Sequence, residues 1–163
     1  MVISSETNIK ICLVTIKKMK QAIIFIPFIL SNIVTYLTLK PDAYAKNLPL
    51  QPPSYVFGIV WSMIYLLYGA YLYNVLNTKE PYLTWILILW TINFVLNLAW
   101  SPVVFNYKKY TLGVYMIVLI ISTLIGLLIT TKNVVSRNLL LPYITWLILA
   151  LLLNVELVKR HSK

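Results

Sequence analysis

The chain has 163 residues, 60% hydrophobic and 11% charged, with a mean hydropathy of +0.82 and a net charge of +10. A soluble domain carries roughly 45–50% apolar and about 25% charged residues, so this composition excludes an ordinary soluble domain and reads as an integral membrane protein. The 14 Lys and Arg residues sit in termini and loops, where anionic headgroups attract them, and no basic stripe interleaved with aromatics points to nucleic acid.

A spanning helix needs about 20 mostly apolar residues. Five segments meet that length: 21–39, 54–76, 81–105, 111–131 and 139–158. The expected fold is an all-α, multi-pass membrane protein, a five-transmembrane-helix bundle over 21–158. Before it lies a basic interfacial segment, 1–20, and after it a basic tail, 159–163. The first segment holds the run IKICLVTIKK, too short to span. It lacks Arg and a small-residue cleavage site, so it reads as interfacial rather than as a signal or transit peptide, and Met19 is an alternative start.

In the first span Pro27 removes a helical hydrogen bond and is expected to kink it. Ser31 and Thr35 share a face, with hydroxyls placed to bond a neighbouring helix or their own backbone. The loop from Lys40 to Pro53 contains Pro41, Pro49, Pro52 and Pro53, which stiffen it. It reads equally as a lid over one end of the bundle or as a connector.

Pro53 opens the second span. Phe57, Trp61, Tyr65, Tyr68 and Leu72 follow at helical spacing as one stripe. Gly58 and Gly69 allow close helix contact, without a GxxxG pair. The third span places Trp90, Asn93, Asn97 and Trp100 on one face: two amides flanked by indoles in hydrocarbon. Trp85 and Tyr82 read as interface anchors, and Trp90 with Trp85 as lipid-facing or interfacial. The fourth span carries the small pair Ser122 and Gly126, suited to tight packing, and little other chemistry. In the fifth span Tyr143, Trp146, Ala150 and Asn154 share a face bordered by Leu153. Glu156 is expected to pair with Lys159 or Arg160.

Loop charges set no orientation. Lys10, Lys17, Lys18, Lys20, Lys79, Lys132 and Arg137 fall on one side, and Lys40, Lys46, Lys108, Lys109, Lys159, Arg160 and Lys163 on the other.

One Cys, Cys12, and one His, His161, preclude an internal disulfide, a Cys/His metal site within one chain and a His-based triad in the membrane. The only acids are Glu6, Asp42, Glu80 and Glu156, which leaves paired-carboxylate catalysis almost nothing to use. No catalytic residue and no required cofactor is assigned. An unpartnered amide in hydrocarbon costs several kcal/mol, so the Trp and Asn stripes mark where function is expected. They read in two ways. Trp61, Trp100 and Trp146 stack on a flat ligand or pack the core; Asn97 bonds a ligand or, with Asn154, ties helices.

Three strings carry a resemblance: Pro52, Pro53, Tyr55, Trp61, Tyr65 and Gly69; Leu96, Asn97, Trp100 and Ser101; and Pro142, Tyr143, Trp146, Ala150, Leu153 and Asn154. In this order, on five spans, they resemble the translocator protein family, the tryptophan-rich sensory proteins (TspO/MBR). Ile59 stands where the family usually has Pro, Asn93 where it has Gln, and Leu149 where an aromatic is common. No Tyr follows Tyr143, so the cholesterol-recognition pattern of animal members is missing.

The resemblance implies a pocket near one membrane face, covered by the long first loop, a homodimer, and porphyrin or sterol-like small molecules as ligands. It places Trp61, Asn97, Trp100, Trp146, Ala150 and Leu153 at the pocket. Phe57, Tyr65 and Asn93 join them from the face analysis. The leading expectation is a non-enzymatic receptor, carrier or sensor for porphyrin or a similar flat hydrophobic molecule. The alternatives are a regulatory scaffold acting through protein partners, and a light-dependent porphyrin-degrading enzyme whose tryptophans match Trp61 and Trp146.

Overall fold

The computed structural model describes residues 21–38 and 51–161. The interfacial segment, Cys12, Met19 and most of the Pro-rich loop lie outside them. Every regular element among the described residues is helical. A 3₁₀ turn, Ile23–Phe25, leads into α1, Ile26–Thr38; α2 is Ser54–Asn77 and α3 is Leu83–Ser101. A π-helical turn, Pro102–Asn106, extends α3; α4 is Tyr110–Thr130, α5 the short Val134–Asn138, and α6 is Leu141–His161. Four segments are long and apolar enough to cross a membrane: Ser54–Asn77, Leu83–Asn106, Tyr110–Thr130 and Val134–His161. The fifth apolar helix, Ile23–Thr38, is shorter. The chain is therefore a multi-pass integral membrane protein with lipid around its helices.

Local chemistry sets the helix ends. Pro53 precedes α2 with φ −52°, the angle its ring imposes. Pro27 does not kink the middle of a span. It lies in the first turn of α1, where a missing N–H is tolerated, and the 3₁₀ turn takes up the change before it. Pro102 brings no N–H to the α3 ladder, and the chain re-registers there, with the Tyr107 N–H donating to Pro102 O at 3.1 Å. Lys108, at φ 52°, then turns the chain into α4. Asn133 caps α5, its side chain accepting from the Ser136 N–H at 2.9 Å.

Close backbone packing joins α3 to α4 and α4 to α6. α2 packs instead on α1 and the 3₁₀ turn, where Gly69 is required: a Cβ there would lie 2.0 Å from Ile24 O. Gly58 makes no such contact, with nothing within 4 Å among the described residues. Gly126 receives the Leu89 side chain, whereas Ser122 faces outward and bonds Val118 O of its own helix. Ser31 likewise bonds its own helix, at Phe28 O. Between α2 and the pair α3 and α6 the space is filled by aromatic side chains.

The aromatic stripe of α2 is the middle of the core. Tyr68 stacks on Trp90 at 5.1 Å and meets Tyr143 edge-on at 5.5 Å. Trp90 is thus a core residue, 9% exposed, which corrects the expectation of a lipid-facing or interfacial ring. Its indole N–H reaches Tyr68 O at 3.5 Å while the Tyr68 hydroxyl donates to Trp90 O at 3.0 Å, a reciprocal tie that an apolar ring could not make. Trp85, 62% exposed, and the exposed Tyr82 lie at the start of α3 with their rings outside the core.

At the membrane face where α2 ends, Glu80 is buried and accepts the backbone N–H groups of Lys132 and Asn133 at 2.9 and 3.0 Å. This carboxylate clamps the α2–α3 connection to the α4–α5 connection. Beneath it the Tyr71 and Thr131 hydroxyls meet at 2.7 Å. At the opposite face Glu156 and Arg160 pair at 3.8 Å, and the helix runs through Lys159 and Arg160 to His161.

Candidate functional site

The site is built toward the face reached by the π-turn and the end of α6. Trp61 on α2 stacks on Tyr65 at 5.5 Å and meets Trp146 of α6 edge-on at 6.4 Å. Phe57, one turn earlier, meets Trp146 edge-on at 5.4 Å. Tyr143, one turn before Trp146, reaches Trp61 at 6.2 Å. These edge-on pairings place ring hydrogens against π-faces.

A directed chain of hydrogen bonds lies beside the rings. The Tyr65 hydroxyl donates to Asn97 Oδ1 at 2.6 Å, and Asn97 Nδ2 donates to the Tyr143 oxygen. The Tyr143 hydroxyl donates to Asn93 Oδ1 at 3.2 Å. Asn93 Nδ2 donates to Ile120 O and to Thr123 Oγ1, both at 2.9 Å. The chain links α2, α3, α6 and α4, and it satisfies both amides in a place without water.

A cavity of about 10 Å³ sits next to this chain, lined by Trp61, Asn97, Trp100, Ile117, Ile120, Leu147 and Ala150. That is room for about one water molecule. A small-molecule pocket is usually about 300–1,000 Å³, so the cavity as it stands is far smaller than a flat ligand requires. Among the described residues, three buried side-chain polar atoms have no hydrogen-bond partner: Trp100 Nε1, Trp146 Nε1 and Asn154 Oδ1. All three belong to the motif residues.

Of the residues expected at the pocket, Trp61, Asn97, Trp100 and Ala150 line the cavity, and Phe57 and Trp146 join through ring contacts with its wall. Tyr65 and Asn93 lie in the hydrogen-bond chain and tie helices. Leu153 is not among the residues that line the cavity; it lies in a second cluster with Val104 and Leu157, against which the wall residue Trp100 also packs. Two features escaped the sequence reading. Tyr143 is the hub of the polar chain, and α4 supplies a wall through Ile117 and Ile120. The signal for α4 was present: Gly113, Ile117, Ile120 and Leu124 recur at helical spacing and are all buried.

The fold and the site define a class: a multi-pass α-helical membrane protein with a Trp- and Asn-lined interior toward one membrane face. Its sequence matches the profile of the TspO/MBR family over residues 22–160, and the chain belongs to that family. It is similar to the tryptophan-rich protein TspO of Chlorobaculum tepidum, 30% identical over 114 residues, covering 66% of this chain and 71% of that one. It is also similar to the tryptophan-rich protein TspO of Archaeoglobus fulgidus, 29% identical over 112 residues, covering 63% and 68%.

Proposed function

We propose that the chain is an intramembrane receptor or carrier for porphyrin or a similar flat, hydrophobic molecule. The ligand is held between α2 and the pair α3 and α6, with α4 as the floor. The observation that carries this reading is the seam along α2. Aromatic rings rather than backbone fill it, and the indole N–H of Trp146 is buried there without an acceptor. Exchanging ring-on-ring contacts for ring-on-ligand contacts keeps the apolar area buried, and a ligand oxygen supplies the acceptor that Trp146 lacks. Opening the seam separates Phe57 and Trp61 from Trp146, while the backbone contacts of α3, α4 and α6 stay in place.

The test is titration of detergent-purified protein with protoporphyrin, read by quenching of Trp fluorescence. Trp61→Ala and Trp146→Ala are each expected to weaken saturable binding tenfold or more, about 1.4 kcal/mol. Trp85→Ala, outside the core, serves as the control and leaves it unchanged. Absent binding, or binding indifferent to both seam variants, overturns the proposal. The regulatory-scaffold reading has one observation in its favour: the cavity holds only about one water, and Asn93 and Asn97 are already bonded within the core. Repeating the titration under illumination separates a carrier from a porphyrin-degrading enzyme, since only the latter makes the porphyrin Soret band decay faster than it does for the same porphyrin in detergent without protein.

A further inference from the structure

Two of the unpartnered atoms face the same point. A Cβ built on Gly113 of α4 would lie 2.8 Å from Asn154 Oδ1 and 3.5 Å from Trp100 Nε1. One atom is an acceptor and the other a donor, and each is buried without a partner. They come from different helices and are brought together because α4 has no side chain at Gly113. The point is closed by Val104, whose Cγ2 would lie 2.4 Å from the same Cβ, so a group reaches both atoms only as the Val104 side chain shifts aside. Val104 is held there by the π-helical turn, an element that occurs mostly as single turns and often at functional sites.

The Asn154 amide spends its Nδ2 on Ala150 O of its own helix, at a long 3.3 Å, which leaves the carbonyl turned toward α4. With Asn154 only 3% exposed, no bulk solvent reaches that oxygen. Leaving a buried acceptor unmade is unfavourable, and a leucine would fit the same apolar surroundings without that penalty. A donor and an acceptor left open side by side match one kind of group, which accepts one hydrogen bond and donates another.

We infer that Trp100 and Asn154 form a hydroxyl-recognition site, the polar anchor for an apolar ligand bearing an alcohol. The indole N–H donates to the hydroxyl oxygen, and the hydroxyl hydrogen is donated to Asn154 Oδ1. This rests on the reading that the bundle admits a flat apolar ligand, since Trp100 also lines the cavity. A site built to bond a hydroxyl rejects the analogue that lacks it, because the pair is then left buried and unpaired.

The test compares 1-pyrenemethanol with 1-methylpyrene, which share a flat ring system and differ by one hydroxyl, by energy transfer from Trp to pyrene in the full chain. The alcohol is expected to bind at least tenfold more tightly to the unmodified protein. Asn154→Leu is expected to bind the two probes equally, and so is Trp100→Phe. In protein carrying ¹⁵N-labelled Trp, the Trp100 indole resonance shifts with the alcohol and not with the hydrocarbon. Equal affinity of the unmodified protein for both probes overturns the hydroxyl site and leaves the apolar seam standing. Discrimination that survives Asn154→Leu also overturns it. Binding of neither probe removes the seam and the hydroxyl site together.

Discussion

Tyr143→Phe isolates the polar chain from the packing around it. Phe keeps the ring, and with it the edge-on contacts to Trp61 at 6.2 Å and Tyr68 at 5.5 Å. Only the hydroxyl is lost, and with it two bonds: the one accepted from Asn97 Nδ2 and the one donated to Asn93 Oδ1. Interhelical hydrogen bonds in membranes average about 0.6 kcal/mol, so two set a floor of roughly 1.2 kcal/mol. The two amide atoms left behind have no other partner in view, and each buried polar atom left unmade costs about 1–3 kcal/mol, which places the expected loss between the floor of roughly 1.2 and about 6 kcal/mol.

The assay is reversible unfolding in mixed micelles with increasing SDS, followed by Trp fluorescence. Tyr68→Phe is the comparator. It gives up one bond, to Trp90 O, a carbonyl inside α3 that keeps its helical partner, so about 0.6 kcal/mol is expected. A double-mutant cycle of Tyr143→Phe with Asn97→Leu should give a coupling of about 0.5 kcal/mol or more. A Tyr143→Phe loss below about 0.5 kcal/mol, or no larger than that of Tyr68→Phe, would refute the claim that this hydroxyl holds the helices together.

Gly69→Ala forces a methyl onto Ile24 O and is expected to cost about 1–3 kcal/mol, read as a lower midpoint in the same unfolding assay. Gly58→Ala meets open space among the described residues and should be neutral or stabilising by up to about 1 kcal/mol; matching losses at both glycines would contradict this contrast. Glu80→Ala removes both acceptors that hold the Lys132 and Asn133 N–H groups. Hydrogen bonds to a charged group contribute about 1.5–3 kcal/mol each, so the two together give an expected loss of about 3–6 kcal/mol, with faster amide exchange at Lys132 and Asn133. Glu80→Gln keeps one acceptor without the charge, and its exchange rates should fall between those of the two forms.

Much of the fold was legible in the sequence because lipid allows so little choice. Backbone groups in hydrocarbon must bond within their own helix, so a long apolar run with few charges already specifies a spanning element. The boundaries followed from proline and loop chemistry, as at Pro53. The motif strings placed the Trp and Asn residues on common faces through the 3.6-residue period alone. The period sets Trp90 on one face with Asn93, Asn97 and Trp100, and it is the separate expectation of a lipid-facing or interfacial ring that burial overturns. A stripe says which residues share a face, and it does not say whether that face meets lipid or protein, because both are apolar in a membrane.

Only the tertiary structure could decide that, since α2 brings Tyr68 to Trp90 from 22 residues away in the chain. It also decided which polar groups are spent. Asn93 and Asn97 are consumed by Tyr65, Tyr143 and Thr123, whereas Asn154 Oδ1 and the indole N–H groups of Trp100 and Trp146 have no partner among the described residues. Asn97 and Asn154 are both amides on largely apolar helices, Asn97 three residues from Trp100 and Asn154 four from Ala150. Their difference lies in what stands opposite. Tyrosine hydroxyls face Asn97, and a glycine faces Asn154. Sequence thus determined which helices cross the membrane and which faces carry polar groups, and packing between helices decided which of those groups find a partner and which are left without one.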